Sequence, residues 1–212
     1  MKKNILITWW SNWIWKYLVK NLKLDNNILS ISRNKTWEEW VEDFNINLTN
    51  TELFNNFVKK CEQDKKVFDC IIINAWVWYF WKYEEWTDNE YINIINLNLL
   101  SPILFIKAIE KFLSPKAKIV FIWSIIGKKF MKGAAVYQAS KFWLRWFAWA
   151  LKQEMKWKKI HIINPKIVDT TFHDNSKEKL IFSEKQYTTF DSILMTVHNI
   201  IEWNENRFEI DL

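Results

Sequence analysis

The chain has 212 residues, half of them apolar and a quarter charged, as expected for one soluble globular domain. Its net charge of +6 is spread along the chain without a basic block, so we expect no nucleic-acid partner. The apolar start is too short for a signal peptide, and no run approaches the ~18 apolar residues of a membrane span. Two cysteines without C-x-x-C spacing give no disulfide framework. We therefore expect a cytoplasmic protein with no membrane partner.

Short β-rich runs alternate with longer helical periods along the chain. The runs predict strands at 4–8, 27–31, 44–46, 68–73, 118–123, 159–163 and 207–212. The helical periods lie at 14–24, 50–63, 88–113, 134–156 and 189–203, with Thr51 and Asp88 as N-cap or first-turn residues. This alternation indicates βαβ units and a parallel sheet. The sequence therefore predicts one α/β domain over residues 1–212, a doubly wound parallel sheet of the Rossmann type.

The clearest chemical signal is the pair Tyr137 and Lys141. A spacing of i, i+4 places both side chains on one face of a helix. A neighbouring ammonium stabilises a phenolate and lowers the tyrosine pKa from about 10, which makes the phenol a better acid–base group near pH 7. Lysine-rich helices produce this pattern by chance, so the pair alone does not establish a site.

Tryptophan and glycine are both present in unusual numbers. The chain has sixteen tryptophans and only two glycines, Gly127 and Gly133, whereas average usage predicts about 15 glycines in a chain of this size. The stretch TWWSNWIW at residues 8–15 follows the first predicted strand. A nucleotide-binding turn has glycines there, because the backbone needs φ > 0 and the pyrophosphate must approach closely. The tryptophans thus occupy the places of glycine.

With glycine at the tryptophan positions, several motifs together resemble the short-chain dehydrogenase/reductase family. Residues 8–15 become TGGSNGIG, the cofactor loop, and residues 74–78 become NAGVG. Residues 123–127 become GSIIG, and residues 141–147, after Tyr137, become KFGLRGF. The resemblance extends over nearly the whole chain, and the order and spacing make it specific. It implies an oxidoreductase that interconverts a carbonyl and an alcohol by hydride transfer with a nicotinamide cofactor.

The resemblance implies four catalytic residues. Tyr137 would be the general acid–base that exchanges a proton with the substrate oxygen. Lys141 would lower the pKa of Tyr137 and bind the nicotinamide ribose, and Ser124 would polarise the substrate carbonyl. Asn98 would support a water in the proton relay.

The resemblance also implies a set of cofactor-binding residues. They are Thr8, Trp9, Ser11, Asn12, Trp13, Ile14, Trp15, Ser32, Arg33, Asn47, Leu48, Asn74, Ala75, Trp76, Tyr137, Lys141, Pro165, Val168 and Thr170. Ser32 and Arg33 stand where NAD-binding members have an acidic residue, and they suit a 2′-phosphate, so NADP(H) is expected over NAD(H). Asn47 replaces the family's Asp beside adenine, and Lys166 replaces the glycine of an N-P-G-x-V-x-T segment.

The remaining predictions concern metals, the substrate and the oligomeric state. The three histidines have no metal-ligand spacing with each other or with the cysteines, so no metal site is expected. The expected partner is a small carbonyl or alcohol substrate. Family members commonly assemble through their long helices, so we expect a homodimer or a homotetramer.

The tryptophans have two explanations. The codon UGA is read as tryptophan in one variant genetic code and as glycine in another, so translation with the wrong code would convert UGA glycines to tryptophan. Trp37, Trp40, Trp86 and Trp203 match no family glycine and would be loop or helix-end glycines. Alternatively, the tryptophans are genuine, and the chain is a non-catalytic aromatic-rich module that binds carbohydrate or a membrane surface. Because overpacking one buried site costs ~1–3 kcal/mol, we expect the tryptophan form neither to fold well nor to bind a dinucleotide.

Overall fold

The computed structural model describes residues 2–9, 12–33, 35, 38–74, 77, 82–168 and 187–212, without the side chains of Trp9, Asn12, Trp13 and Thr51. Seven strands in this part of the chain form one sheet. They are β1 (Asn4–Trp9), β2 (Asn27–Ser32), β3 (Val41–Asn45), β4 (Phe68–Asn74), β5 (Leu113–Ile122), β6 (Lys159–Asn164) and β7 (Glu209–Asp211). All neighbours pair in parallel in the order β3-β2-β1-β4-β5-β6-β7. The predicted doubly wound, single-domain fold is confirmed, and strand order reverses between β1 and β4.

Helices cover both faces of this sheet. They are α1 (Asn12–Leu22), α2 (Thr51–Gln63), α3 (Asp88–Ile95), α4 (Ser101–Ile109), α5 (Ala135–Glu154) and α6 (Phe190–Ile201). One face packs against α2, α4 and α5, and the other packs against α1 and α6. In β1, for example, Leu6 faces the first group, while Ile5 and Ile7 face the second. Burial on both faces explains why the central strands are continuously apolar.

Side-chain caps fix where two of the helices begin. Asn50 precedes α2, and its side chain accepts a hydrogen bond from the backbone N–H of Leu53 at 3.0 Å. Thr87 precedes α3 and forms a reciprocal capping box with Glu90. The caps therefore lie one residue before Thr51 and Asp88, which are the first helical residues.

Several predicted elements have other bounds in the structure, and β5, for example, begins at Leu113 instead of 118. The third strand begins at Val41 and ends at Asn45, earlier than the predicted 44–46. It is a polar edge strand that includes Glu42 and Asp43, so it lacks the apolar run of the central strands. The predicted helix 88–113 is interrupted by a π-helical turn, Asn96–Leu100, between α3 and α4. Such turns are set by local contacts that apolar periodicity does not reveal.

The stretch Asp88–Phe112, which contains this π-helical turn, is long and apolar enough to cross a membrane by length and composition alone. Less than half of its most apolar 18-residue window, 44%, is buried within the chain. Its buried residues, including Ile94, Phe105 and Ile109, pack in the cores described above or beside α5. A core helix of a soluble protein passes the same test, so the stretch is weak evidence for a membrane span.

Two tryptophans lie in the left-handed region of backbone space. Trp40 has φ = 66° and Trp203 has φ = 65°. Trp203 follows the end of α6, where its N–H donates to the carbonyl of Ile200 and the N–H of Asn204 donates to the carbonyl of Asn199. These two bonds form a Schellman motif, whose left-handed residue is usually glycine. Both tryptophans therefore occupy backbone conformations that favour glycine.

Candidate active site

Three of the predicted catalytic side chains meet near the carboxyl ends of β5 and β6. Ser124 follows β5 and caps a 3-10 turn, Ile125–Lys128, by accepting a hydrogen bond from the N–H of Ile126 at 3.3 Å. Tyr137 and Lys141 lie in the first turns of α5, and both are fully buried. The Ser124 side chain interacts with the Tyr137 phenol. The Lys141 Nζ atom lies 5.3 Å from the centroid of the Tyr137 ring.

Asn98, the fourth predicted catalytic residue, anchors the neighbouring elements. It is fully buried in the π-helical turn. Its Oδ1 accepts a hydrogen bond from the N–H of Val77 at 2.7 Å, and its Nδ2 donates to the Val77 carbonyl at 2.8 Å. The Nδ2 also lies 3.3 Å from the Oγ of Ser140, which donates to the carbonyl of Tyr137 at 2.7 Å. The carboxamide of Asn98 thus joins Val77, just after β4, to the turn of α5 that carries Tyr137.

The indole of Trp123 fills the space between the Ser124 turn and α5. It is 3% exposed, and its Nε1 donates to the carbonyl of Lys141 at 3.1 Å. The Lys141 Nζ lies 3.9 Å from the centroid of the indole. A Cβ atom at Gly127 would lie only 2.9 Å from the indole Nε1, so the indole occupies the room that this glycine leaves. The indole therefore helps to separate the Lys141 amine from solvent.

Burial sets the pKa values of both acid–base candidates. It raises the pKa of the Tyr137 phenol, and the interaction with Ser124 offsets part of that rise. Burial also lowers the pKa of the Lys141 amine well below its ordinary value. The sequence predicted a lowered pKa for Tyr137, which the structure does not give. The physical reason is that burial disfavours the ammonium of Lys141, and only the ammonium would stabilise a phenolate.

The predicted phosphate and nicotinamide region lies at the ends of β1 and β4. The Thr8 Oγ1 accepts a hydrogen bond from the N–H of Asn74 at 3.3 Å and ties the two strand ends together. Ile14 and Trp15 are buried in the apolar cluster between α1 and the sheet. The backbone of Trp9 pairs with that of Asn74. Several predicted cofactor residues lie outside the description: Ser11, Ala75, Trp76 and Thr170, and the side chains of Trp9, Asn12 and Trp13.

The predicted adenosine region lies at the ends of β2 and β3. Ser32 is buried at the end of β2, and Arg33 is exposed directly after it. Asn47 Oδ1 accepts hydrogen bonds from the N–H and the hydroxyl of Thr49, at 3.1 and 2.9 Å. The Asn47 Oδ1 atom therefore forms its hydrogen bonds within the turn 47–49. Leu48 packs against the core beside α2 and α4.

Two further predicted residues, Pro165 and Val168, lie in the segment after β6. The carbonyl of Pro165 accepts a hydrogen bond from the N–H of Ile125 at 2.9 Å, so this segment contacts the Ser124 turn. Val168 is buried against the α1–α6 side of the sheet. Ile167 and Tyr187 pair in an isolated parallel bridge, so residues 167 and 187 lie side by side.

A charged cluster next to the site was not predicted from the sequence. It consists of Lys128, Arg145, Asn164, Glu209 and Asp211, and we call it the β7 cluster. The only local signal was the i, i+4 relation of Arg145 to Lys141. Contacts between residues 64 or more positions apart, such as Arg145 and Glu209, cannot be read from spacing. Among the described residues, no group of three histidine, cysteine, aspartate or glutamate side chains could hold a metal ion.

Comparisons with known proteins agree with this architecture. A family model described as short chain dehydrogenase matches residues 23–181. A short chain dehydrogenase family protein of Francisella tularensis has a TM-score of 0.86 at 19% identity, covering 100% of this chain and 97% of that chain. The ligand-free aldohexose dehydrogenase of Thermoplasma acidophilum has a TM-score of 0.83 at 13% identity, covering 100% and 92%.

A dehydrogenase of Burkholderia cenocepacia with bound NADP has a TM-score of 0.85 at 17% identity, covering 100% and 92%. At these identities, the solved structures establish the fold alone. A search of curated protein sequences finds no match. The family model spans about three quarters of the chain and carries the assignment. The chain belongs to the short-chain dehydrogenase family of oxidoreductases.

Proposed function

We propose that the protein is an NADP(H)-dependent enzyme that interconverts a carbonyl and an alcohol, with Tyr137 as its general acid–base. The observation that carries the proposal is the meeting of Ser124, Tyr137 and Lys141, which come from two separate elements. A phenol, a hydroxyl and an amine at the carboxyl ends of a parallel sheet suit proton transfer to a ligand in the crevice there. Family membership supports the oxidoreductase class.

The proposed roles follow from the chemistry of each side chain. When bound, NADP(H) supplies or accepts the hydride. The Ser124 hydroxyl donates a hydrogen bond to the substrate oxygen and polarises the carbonyl. Tyr137 gives its phenolic proton to that oxygen during reduction and takes it back during oxidation. Lys141, once charged, stabilises the phenolate and binds the ribose hydroxyls. Because the Asn98 side chain is engaged by Val77, a relay water there would depend on its backbone carbonyl.

The polar residues fit this cofactor, but one indole does not. Ser32 at the end of β2 and the exposed Arg33 directly after it provide a hydroxyl and a guanidinium that suit a phosphate. The Burkholderia cenocepacia structure holds NADP on the same fold. By contrast, Lys141 is fully buried beside Trp123, so a ribose cannot reach its amine while that indole is present.

We further propose that the sixteen tryptophans are glycines encoded by UGA. The left-handed backbone at Trp40 and Trp203 supports this, because such a conformation favours glycine. The family motifs do not include these two positions, so the backbone is a separate indication. The position of Trp123 over Lys141 supports it from the chemistry of the site. The family match disfavours the alternative of a non-catalytic aromatic-rich module. We call the chain with glycine at all sixteen positions the glycine form and the sequence as printed the tryptophan form.

The decisive experiment is a titration of both forms with NADPH, followed by carbonyl-reduction assays over a panel of aldehydes and ketones. The glycine form should bind NADPH and oxidise it in the presence of a carbonyl substrate, and the tryptophan form should do neither. Tyr137→Phe in the glycine form should retain NADPH binding and lose reduction. Sugar or lipid binding by the tryptophan form, with no NADPH binding by the glycine form, would contradict the proposal. UGG codons at the sixteen positions would contradict the glycine assignment.

We also propose a cytoplasmic homodimer or homotetramer. Ile92, Leu100 and Leu104 are exposed along α3, the π-helical turn and α4, and Trp143 and Trp146 are exposed on α5. Exposed leucine and isoleucine side chains on neighbouring helical turns favour burial against another copy. Glycine at positions 143 and 146 would allow α5 of a partner to approach closely. Light scattering of the glycine form should give two or four times the monomer mass, and a monomer would contradict this part of the proposal.

A further inference from the structure

The carboxylate of Glu209 joins three elements around the site. Arg145 donates two hydrogen bonds to it, from Nε at 2.8 Å and from Nη2 at 2.9 Å. Asn164 Nδ2 donates to Glu209 Oε1 at 2.9 Å, and Lys128 Nζ lies 3.0 Å from the same oxygen. The Glu209 side chain is only 13% exposed. A carboxylate with this many charge-assisted partners has one well-defined position.

Each partner of Glu209 belongs to a segment that carries proposed site residues. Lys128 ends the 3-10 turn that Ser124 caps. Arg145 lies one helical turn after Lys141 on the same face of α5. Asn164 ends β6 and precedes Pro165, whose carbonyl holds the N–H of Ile125. Glu209 itself lies in β7, the edge strand of the sheet. One carboxylate therefore connects the Ser124 turn to the helix that carries Tyr137 and Lys141.

The neighbouring Asp211 does not duplicate this arrangement. Its Oδ1 accepts from Lys128 at 2.6 Å and from Asn164 at 2.8 Å, and the β7 cluster gives it no bond to α5. Its side chain is 52% exposed, so solvent screens its ion pair. Burial raises the pKa of Glu209, but hydrogen bonds from Arg145, Asn164 and Lys128 outweigh this and lower it to about 2. Glu209 thus keeps its charge throughout the neutral range.

We propose that Glu209 is a positioning residue, which holds the Ser124 turn against α5 so that the Ser124 and Tyr137 hydroxyls share one substrate oxygen. This inference rests on the proposed function of those two hydroxyls. The carboxylate acts through Lys128 and Arg145 and does not touch the substrate. Because small misplacements of reacting groups cost large factors in rate, loosening this contact lowers kcat more than it lowers cofactor affinity.

The test compares Glu209→Gln with Glu205→Gln in the glycine form. Glu205 is a matched control, because its side chain is 15% exposed and paired with Arg207, and hydrogen bonds from that arginine lower its pKa to about 2. The described contacts of Glu205 do not reach the site segments. Two quantities are measured: steady-state kinetics well below the melting temperature, and hydrogen exchange of the backbone amides at 125–128.

We expect Glu209→Gln to lower kcat by about tenfold or more, with KM for NADPH within about threefold of the parent. Amide exchange at 125–128 should accelerate about fivefold or more, because the turn opens more often. Glu205→Gln should change neither quantity by more than about twofold. If Glu209→Gln does not fold, Lys128→Met breaks the same link from the turn side and leaves the pair of Arg145 and Glu209 intact.

Equal kcat values for the two glutamine variants, or unchanged exchange at 125–128, would overturn the positioning role, even if Glu209→Gln melts at a lower temperature. An inactive glycine form would instead contradict the proposed function. In that case the exchange data still decide whether Glu209 holds the turn against α5, because they need no substrate.

Discussion

Two buried lysines, Lys141 and Lys118, lie at opposite ends of the sheet and differ in what surrounds their amines. Lys141 lies on α5 near the carboxyl ends of the strands, and its Nζ is 3.9 Å from the indole centroid of Trp123. Lys118 lies in β5 beside Lys159, the first residue of β6, and its Nζ is 3.7 Å from the ring centroid of Trp203. Burial lowers the pKa of both amines. Burial and an aromatic neighbour therefore do not distinguish a functional lysine from a structural one.

The polar neighbours make that distinction. Lys118 donates to the carbonyl of Ile201 at 2.6 Å, and Lys3 donates to the same carbonyl at 2.7 Å. These bonds satisfy a carbonyl at the carboxyl end of α6, where the helix leaves carbonyls without an intrahelical partner. Lys141 lies instead beside the ring of Tyr137, whose phenol interacts with Ser124. Both hydroxyls can exchange protons with a ligand. The comparison predicts a catalytic effect for one lysine and a stability effect for the other.

The largest expected effect comes from removing the amine of Lys141. In the glycine form, Lys141→Met should lower carbonyl reduction by about 10²–10⁴-fold, because the phenolate of Tyr137 loses its stabilising charge. Lys118→Met should leave kcat within about twofold of the parent, since its amine lies at the other end of the sheet. Steady-state kinetics with NADPH measures both. A comparable loss of kcat in the two variants would contradict the distinction between a catalytic and a structural lysine.

The next effect concerns stability at alkaline pH. Burial, and to a lesser extent the charge of Lys3, lowers the pKa of Lys118 from 10.5 to about 8. Between these values, the unfolded chain binds more protons than the folded chain, so the contribution of Lys118 to stability rises as pH rises. Relative to Lys118→Met, the parent should gain up to about 3 kcal/mol in unfolding free energy from pH 8 to 10.5. Relative to Lys116→Met, an exposed change in the same strand, the parent should show no such gain in denaturant titrations.

A smaller effect is expected from covering Lys141 in the glycine form. Trp123 kept as the one tryptophan places its indole over the amine, so NADPH should bind about tenfold more weakly, which is ~1.4 kcal/mol. Trp203 kept instead places its ring over Lys118 and should not change NADPH affinity. Fluorescence titration of the nicotinamide compares the two variants. Equal affinities would mean that the indole of Trp123 does not limit access to Lys141.

The smallest effect tests the left-handed backbone. Trp40 kept in an otherwise glycine form should lower the free energy of unfolding by about 1 kcal/mol, because a residue with a Cβ adopts φ > 0 only with strain. Trp157 is a matched control, since it is 86% exposed against 88% for Trp40 and does not have a positive φ. Trp157 kept instead should give no decrease, because it only reduces unfolded-state entropy relative to glycine. Urea unfolding at neutral pH measures both.

The sequence predicts most of the fold because the central strands carry their own signal. Runs such as 70–73 and 119–122 are apolar on both faces, and their burial between two helical layers requires that. The pairing of Tyr137 with Lys141 is also readable, since it depends on helical spacing alone. The links of Asn98 to Val77 and of Glu209 to Arg145 are not readable, because they join residues 21 and 64 positions apart. Such contacts exist only once the chain has folded.

The π-helical turn Asn96–Leu100 makes this protein sensitive to a one-residue deletion. A π-helical turn holds one residue more than the α-helical turn it replaces, so deleting Leu99 or Leu100 would restore an ordinary helix. The shortened helix would have better backbone geometry, yet Asn98 would rotate by about 100° relative to the helix that follows. The carboxamide could then no longer reach both Val77 and Ser140. Gene variants that shorten this helix would gain regularity there and lose the link between β4 and α5, so the irregular turn should persist in descendants that remain active.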